Sequence, residues 1–236
     1  MGTALSTSSA LVLLSGGQDS ATVLAWALRN YKRVETIGFD YGQKHAVEMK
    51  QRAIFRSRLA DQYPEMATRL GPDHIVALDL AGQIAGNIAS FDVSRSEMLL
   101  RKKYIPGRNL IMMSLSASVA FRRGIETLAC GVSETEYSGY PDCRRQAMRA
   151  IEAALIEATG FSWSVQCPLM DLDKAGVWRL ARSLGGDALV ELIREETHTC
   201  YEGVRETRHP WGYGCTQCDA CRLREKGWRE FTAASV

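Results

Sequence analysis

No apolar run in this chain approaches the ~18 residues that a membrane span requires. No sign of charge dominates either. Against 29 lysines and arginines stand 27 acidic residues, a formal net charge of +2. That balance gives no bulk attraction to a polyanion. Direct nucleic-acid binding and a membrane partner are therefore not expected, and any anionic ligand must be held by local groups. The start lacks the basic segment and cleavage site of a secretory signal. Residues 1–6 fit the short myristoylation pattern, but a strand begins a few residues later, and we read the match as coincidence. The seven cysteines are odd in number and four are crowded together, which argues against a disulfide framework. A reducing cytoplasm is the expected compartment. Internal repeats and low-complexity stretches are missing as well, and no Gly-Lys-Ser/Thr Walker loop follows the first strand.

What is there is an ordinary globular composition, 46% hydrophobic and 24% charged over 236 residues. Short apolar runs at 10–14, 34–39, 74–78, 127–131 and 164–167 predict strands. Between them, helices are expected at 21–29, 46–62, 109–123, 144–158 and 174–184. Pro64 is read as stopping the second helix, Asp173 as capping the last, and Gly185-Gly186 as ending it. Residues 79–107 show no clean period. Strand and helix alternation predicts an α/β fold, an open parallel sheet with helices on both faces. Ligands in such folds sit at the C-terminal ends of the strands. Residues 195–236 differ in composition and are expected to form a small zinc-binding subdomain beside a nucleotide-binding domain at 1–194.

Ser15-Gly16-Gly17-Gln18-Asp19-Ser20 falls between the first strand and the first helix. Its glycines permit a tight turn, and the backbone N–H groups and the helix start then converge on an anion. Ser15 and Ser20 can donate to phosphate. Asp19 is acidic and calls for magnesium between it and a phosphate. An ordinary capped turn is the plain alternative. Cys200, Cys215, Cys218 and Cys221 follow a C-x14-C-x2-C-x2-C spacing. Four thiolates suit a closed tetrahedral zinc with no open position, hence a structural ion. An iron–sulfur cluster and a redox dithiol are the rivals.

The Ser15–Ser20 string resembles the signature of the PP-loop ATP pyrophosphatases. A longer series of segments resembles the 7-cyano-7-deazaguanine synthases of the queuosine pathway: Asp40-Tyr41-Gly42-Gln43-Lys44-His45, Pro106-Gly107-Arg108-Asn109, Tyr137-Ser138-Gly139-Tyr140-Pro141-Asp142-Cys143-Arg144, Cys167-Pro168-Leu169, the four crowded cysteines and Arg222-Leu223-Arg224. The chain departs from that pattern at Glu136, where Asp is expected, and at Gly176, where a Glu is expected.

The resemblance implies a PP-loop, adenine nucleotide alpha-hydrolase-like fold and a C–N bond-forming ligase. The 7-carboxylate of 7-carboxy-7-deazaguanine attacks the α-phosphate of ATP and releases pyrophosphate. Ammonia then displaces AMP to give an amide. A second ATP activates the amide oxygen, and loss of AMP leaves the nitrile. Leu14, Ser15, Gly16, Gly17, Gln18, Asp19, Ser20, Ala21, Thr22, Val23 and Leu24 are the expected ATP contacts, with Val23 and Leu24 equally readable as core. Lys44, Arg108, Asp142 and Lys174 are the candidate catalytic residues. The lysines would neutralise phosphate charge, Arg108 would hold a carboxylate or phosphate, and Asp142 would accept from the guanine-like edge. Exposed cations and a turn aspartate are the bland readings of the same four. No glutaminase domain accompanies them, so free ammonia is the expected donor, and a homodimer is the expected assembly. Another PP-loop ligase or tRNA thiolase, or a zinc-ribbon interaction module on a degenerate nucleotide domain, would share parts of this pattern.

Overall fold

The computed structural model describes residues 6–40, 47–78, 105, 107–135 and 140–234. Five parallel strands form the central sheet: β1 (Ser6–Leu13), β2 (Tyr31–Asp40), β3 (Leu70–Ala77), β4 (Thr127–Ala129) and β5 (Ser164–Gln166). Their order is β3-β2-β1-β4-β5. All four pairings are parallel, with Val12 opposite Thr36 on one side and Ala129 on the other. The strand order reverses between β1 and β4, so the crevice at their C-terminal ends is the switch point where such sheets bind ligands.

The helices are α1 (Gln18–Asn30), α2 (Val47–Gln62), α3 (Pro64–Ala67), α4 (Arg108–Arg122), α5 (Arg145–Thr159), α6 (Lys174–Glu196) and α7 (Asp219–Ala233). The period-2 alternation of β1 sorts them into two layers. Ala10, Val12 and Leu14 pack with α1, α2, α6 and α7, where Phe55, Trp178 and Phe231 are the large buried side chains. Leu11 turns to the other face and meets Met113 and Ala117 of α4 and Ile151 of α5. The expected open parallel sheet with helices on both faces is what forms.

Three local readings change. Pro64 does not merely stop α2: it takes the first position of α3, where its missing N–H costs nothing. The Gly185-Gly186 break falls where expected, at Gly185 (φ −149°, ψ 17°) and Gly186 (φ 70°, ψ −169°), but a second helical stretch, not expected from the sequence, follows it to Glu196. The reason is tertiary: Leu189, Val190, Leu192 and Ile193 beyond the break are buried in the same core as Trp178. Third, the cysteine-rich tail carries a long helix, α7, which the sequence reading left unassigned. Gly227 of α7 lets it lie against α6, since a Cβ there would come within 2.3 Å of Lys174 Cβ. A short antiparallel pair, β6 (Arg208–His209) and β7 (Gly212–Tyr213), lies between α6 and α7. No described helix is long and apolar enough to cross a membrane.

Candidate functional site

The Ser15–Ser20 loop lies at the switch point. β1 delivers it, and α1 leaves from it with Gly17 as an N-cap that offers no side-chain bond to the helix. Gly16 has φ +100°, a backbone state that favours glycine, and a Cβ there would stand 2.3 Å from the Glu48 carbonyl. The two serines close the loop on themselves. Ser20 Oγ donates to the Gly17 carbonyl at 3.1 Å and accepts from Ser15 N–H at 3.1 Å, while the two hydroxyls lie 3.0 Å apart. The loop's hydroxyls and amides are thereby gathered at the head of α1.

Asp19 sits in the first turn of α1. Its Oδ2 accepts from Lys174 Nζ at 2.6 Å, and its Oδ1 is buried with no hydrogen-bond donor among the described residues. Lys174 is only 6% exposed. It starts α6, where Asp173 acts as the N-cap by accepting from Gly176 N–H at 2.6 Å. Gly176 gives that cap a backbone amide and brings no carboxylate, where the resemblance implies one. Across the crevice, Gly131 after β4 closes on the loop; a Cβ there would be 3.1 Å from Asp19 and Ser20 backbone atoms.

Other expected contacts stand behind the loop. Ala21, Val23 and Leu24 are buried in the core, and Thr22 spends its hydroxyl on the Gln18 carbonyl at 3.0 Å. Leu14 points into the core while its carbonyl accepts from Arg52 Nε at 2.8 Å. The Gln18 amide is fully buried, and neither of its polar atoms is paired among the described residues.

Arg108 is the first residue of α4, after Gly107 at φ +69°. It faces Glu48 electrostatically. Burial raises the Glu48 carboxyl to about 7, and the Arg108 charge opposes that rise. Asp142 lies in a single 3₁₀ turn, Pro141–Cys143, and its Oδ2 accepts from the Asn109 backbone N–H at 3.0 Å. One carboxylate oxygen therefore fastens the start of α4. Cys143 lies beside it, its thiol pushed up to about 11 by burial and then by the Asp142 charge, which suits a packing residue and not a nucleophile. Lys44, Glu136 and Tyr137 lie outside the described residues.

The four clustered cysteines do come together. Their sulfur atoms all lie within 4.8 Å of one another, with Cys200 and Cys221 buried. A tetrahedral ion with bonds of ~2.3 Å to sulfur needs S–S spacings near 3.8 Å, so the donor set fits such an ion. Trp211 packs into the cluster, and the His209 ring stacks on it at 4.7 Å with an interplanar angle of 11°.

Sequence reasoning missed three supports. Arg52 is buried against the phosphate loop, bonded to Leu14 and to Asp73. Gly38, alone in an apolar strand, was the available signal: a Cβ there would meet Arg52 Nε at 2.4 Å. Arg224, quoted in the sequence match without a role, is fully buried and has no carboxylate partner among the described residues. It donates to the Trp211 and Ile193 carbonyls and the hydroxyls of Thr197 and Thr199, and burial lowers its guanidinium to about 10, with the Asp19 charge pulling it back. Finally, His198 N–H holds the Gly16 carbonyl at 2.9 Å. The backbone just before Cys200 thus touches the phosphate loop directly.

Comparison with known proteins follows the same lines. The sequence profile described as "Queuosine biosynthesis protein QueC" matches residues 9–232. The 7-cyano-7-deazaguanine synthase of Paraburkholderia phymatum is 50% identical over 226 residues, covering 95% of this chain and 93% of that protein. The 7-cyano-7-deazaguanine synthase of Caulobacter vibrioides is 49% identical over 227 residues, covering 95% and 94%. Among solved structures, a 4-thiouridine synthetase–RNA complex with bound ATP superposes with a TM-score of 0.50 at 17% identity, over 96% of this chain and 52% of that one, a likeness of fold alone.

Proposed function

The chain belongs to the queuosine biosynthesis protein QueC family, and we propose from that premise how its residues divide the work. It is an ATP-dependent ligase that converts 7-carboxy-7-deazaguanine and ammonia to 7-cyano-7-deazaguanine. A carboxylate conjugated to an electron-rich ring is a poor electrophile, and an amide gives up its oxygen only when that oxygen leaves well. Adenylyl transfer solves both problems with one site. The observation that carries this assignment is the self-closed Ser15–Ser20 loop at the switch point, with the buried Lys174–Asp19 pair beside it.

In this reading the N–H groups and hydroxyls of Ser15–Ser20 take the ATP phosphates, with Leu14 and Ala21–Leu24 backing the loop. Lys174 and Lys44 offset phosphate charge as point cations. Asp19 Oδ1, buried and without a donor, is the atom we assign to magnesium, which when bound would neutralise charge on the leaving pyrophosphate. Arg108 holds the substrate carboxylate or the α-phosphate. Asp142 keeps one oxygen on α4 and offers the other to the two adjacent donors of the guanine-like edge. Catalysis is then chiefly positioning with charge stabilisation for in-line attack. Cys200, Cys215, Cys218 and Cys221 hold zinc, and residues 195–236 form the unit that docks it against the loop through His198. A homodimer in the cytoplasm is the expected working form.

The test is to incubate the purified chain with 7-carboxy-7-deazaguanine, ammonium and magnesium–ATP and to follow products by mass spectrometry. The nitrile should appear with AMP and pyrophosphate. Accumulation of the amide alone would remove the dehydrating step from this assignment.

A further inference from the structure

Two cysteines outside the clustered four stand side by side. Cys130 follows β4 and Cys167 follows β5, one residue beyond the paired Ala129 and Gln166. Their sulfur atoms are 3.6 Å apart, and both thiols are free. The backbone around them is fixed on both sides. Cys130 N–H donates to the Gln166 carbonyl at 3.0 Å, Glu134 N–H to the Met170 carbonyl at 3.1 Å, and Ser133 Oγ to the Leu172 carbonyl at 2.8 Å. Neighbouring strands lie ~4.8 Å apart, inside the ~4.4–6.8 Å range of Cα separations that a disulfide spans. Side-chain rotation alone can therefore bring the sulfurs into bonding contact.

The surroundings also distinguish the two thiols. The hydrogen bond shared with Cys167 and the Val132 backbone N–H hold the Cys130 thiol below its ordinary value despite burial. Cys167 is pushed upward by the same pairing and by burial. The position matters too. Gly131 follows Cys130 and is packed against the Asp19 and Ser20 backbone, where a Cβ would stand a tight 3.1 Å away. Any pull on Cys130 reaches the phosphate loop through that contact.

We propose that Cys130 and Cys167 form a redox-active pair that a peroxide converts to a disulfide, and that this bond shifts Gly131 against the Ser15–Ser20 loop and suppresses turnover reversibly. One of the two sulfurs attacks a peroxide oxygen, the O–O bond breaks, and the departing oxygen leaves as water, giving a sulfenic acid. The other sulfur then attacks the oxidised one. The S–O bond breaks and the second oxygen leaves as water with the proton of the second thiol. Two electrons pass from the sulfurs to the peroxide.

The full chain with its bound metal is treated with equimolar hydrogen peroxide, alkylated, digested and mapped by mass spectrometry, and AMP release is measured before and after dithiothreitol. The expected result is a cross-linked peptide pair containing Cys130 and Cys167. With it should come a loss of turnover of roughly tenfold or more, because a ~1 Å misplacement costs up to ~10²-fold. Dithiothreitol should reverse both. Cys167→Ser and Cys130→Ala should each lose the cross-link and keep turnover in peroxide. Alkylation of both thiols after oxidation, a link to Cys143 instead, or a linked protein with unchanged turnover would each overturn the proposal. The turnover arm rests on the ligase assignment above. A reduced chain that makes no AMP refutes that assignment, while the peptide map of the wild-type chain still decides the pairing.

Discussion

Lys174 is a buried cation paired with Asp19 at 2.6 Å. A buried ion pair is weak evidence of stability, since desolvation offsets much of its attraction. Placing such a pair at the mouth of the Ser15–Ser20 loop, the proposed phosphate site, is better explained by charge that a ligand will use. Lys174→Met should therefore lower kcat/KM by ~10²-fold or more, the scale of a lost preorganised electrostatic group, with far-UV circular dichroism unchanged. Asp142 makes a different case. Its carboxylate accepts from Asn109 N–H at 3.0 Å, so part of its role is local and structural. Asp142→Asn keeps an acceptor for that bond but places a donor beside the substrate edge. The expected outcome is a rise in KM for the deazaguanine acid of about tenfold, the cost of one hydrogen bond to a charged group, with little change in melting temperature. Unaltered KM would return Asp142 to the role of a turn residue.

The elements show where tertiary packing overruled local signals. Gly185-Gly186 reads as a helix stop, and the dihedral angles there do break the helix. The chain resumes because the apolar face of 187–196 has a core to bury. Gly186 lies at φ 70°, ψ −169°, a region that only glycine occupies without strain. Gly186→Ala should cost ~1–3 kcal/mol of stability, read as a lower midpoint in denaturant unfolding, even though a Cβ there meets nothing within 4 Å. Gly185 differs, because a Cβ there would come within 2.7 Å of Leu189. The C-terminal unit gives the converse lesson. Cys218 stands at the N-cap position of α7, so the sulfur cluster and the start of the helix meet in one residue. Cys218→Ser should abolish stoichiometric zinc by elemental analysis. It should also loosen residues 197–234 in hydrogen exchange and weaken ATP binding, because His198 N–H holds Gly16. Full metal content in that variant would refute the four-sulfur assignment.

Across the whole molecule, charge is balanced in number but concentrated in place. Glu35 of β2 is a fully buried carboxylate that pairs with Arg33, His74 and Arg123. Burial alone would raise its pKa; the bonds from Arg123 and His74 outweigh that and hold it below the usual 4.5. A carboxyl depressed in the folded state contributes stability above its unfolded value and loses it as pH falls through the folded one. Unfolding midpoints should accordingly drop steeply below about pH 4.5, and Glu35→Gln should flatten that slope while lowering stability at neutral pH. An equally steep slope in the variant would move the acid sensitivity elsewhere.

Periodicity, turn residues and cysteine spacing determined much of this protein before any coordinates. A strand of alternating burial has to split its neighbours into two layers, a Gly-Gly turn ahead of a helix permits a tight bend there, and four cysteines spaced C-x14-C-x2-C-x2-C point to a shared metal site. Those are local properties, set within a few residues of one another. The tertiary structure decided what depends on residues distant in sequence. It bonded Arg52 to Leu14, tied His198 to Gly16, filled the space beside Gly131 with Asp19, carried α6 through its glycine break, and brought the sulfurs of Cys130 and Cys167 to 3.6 Å. Each of these contacts joins residues from separate elements, and only the order in which the strands pair can place them together.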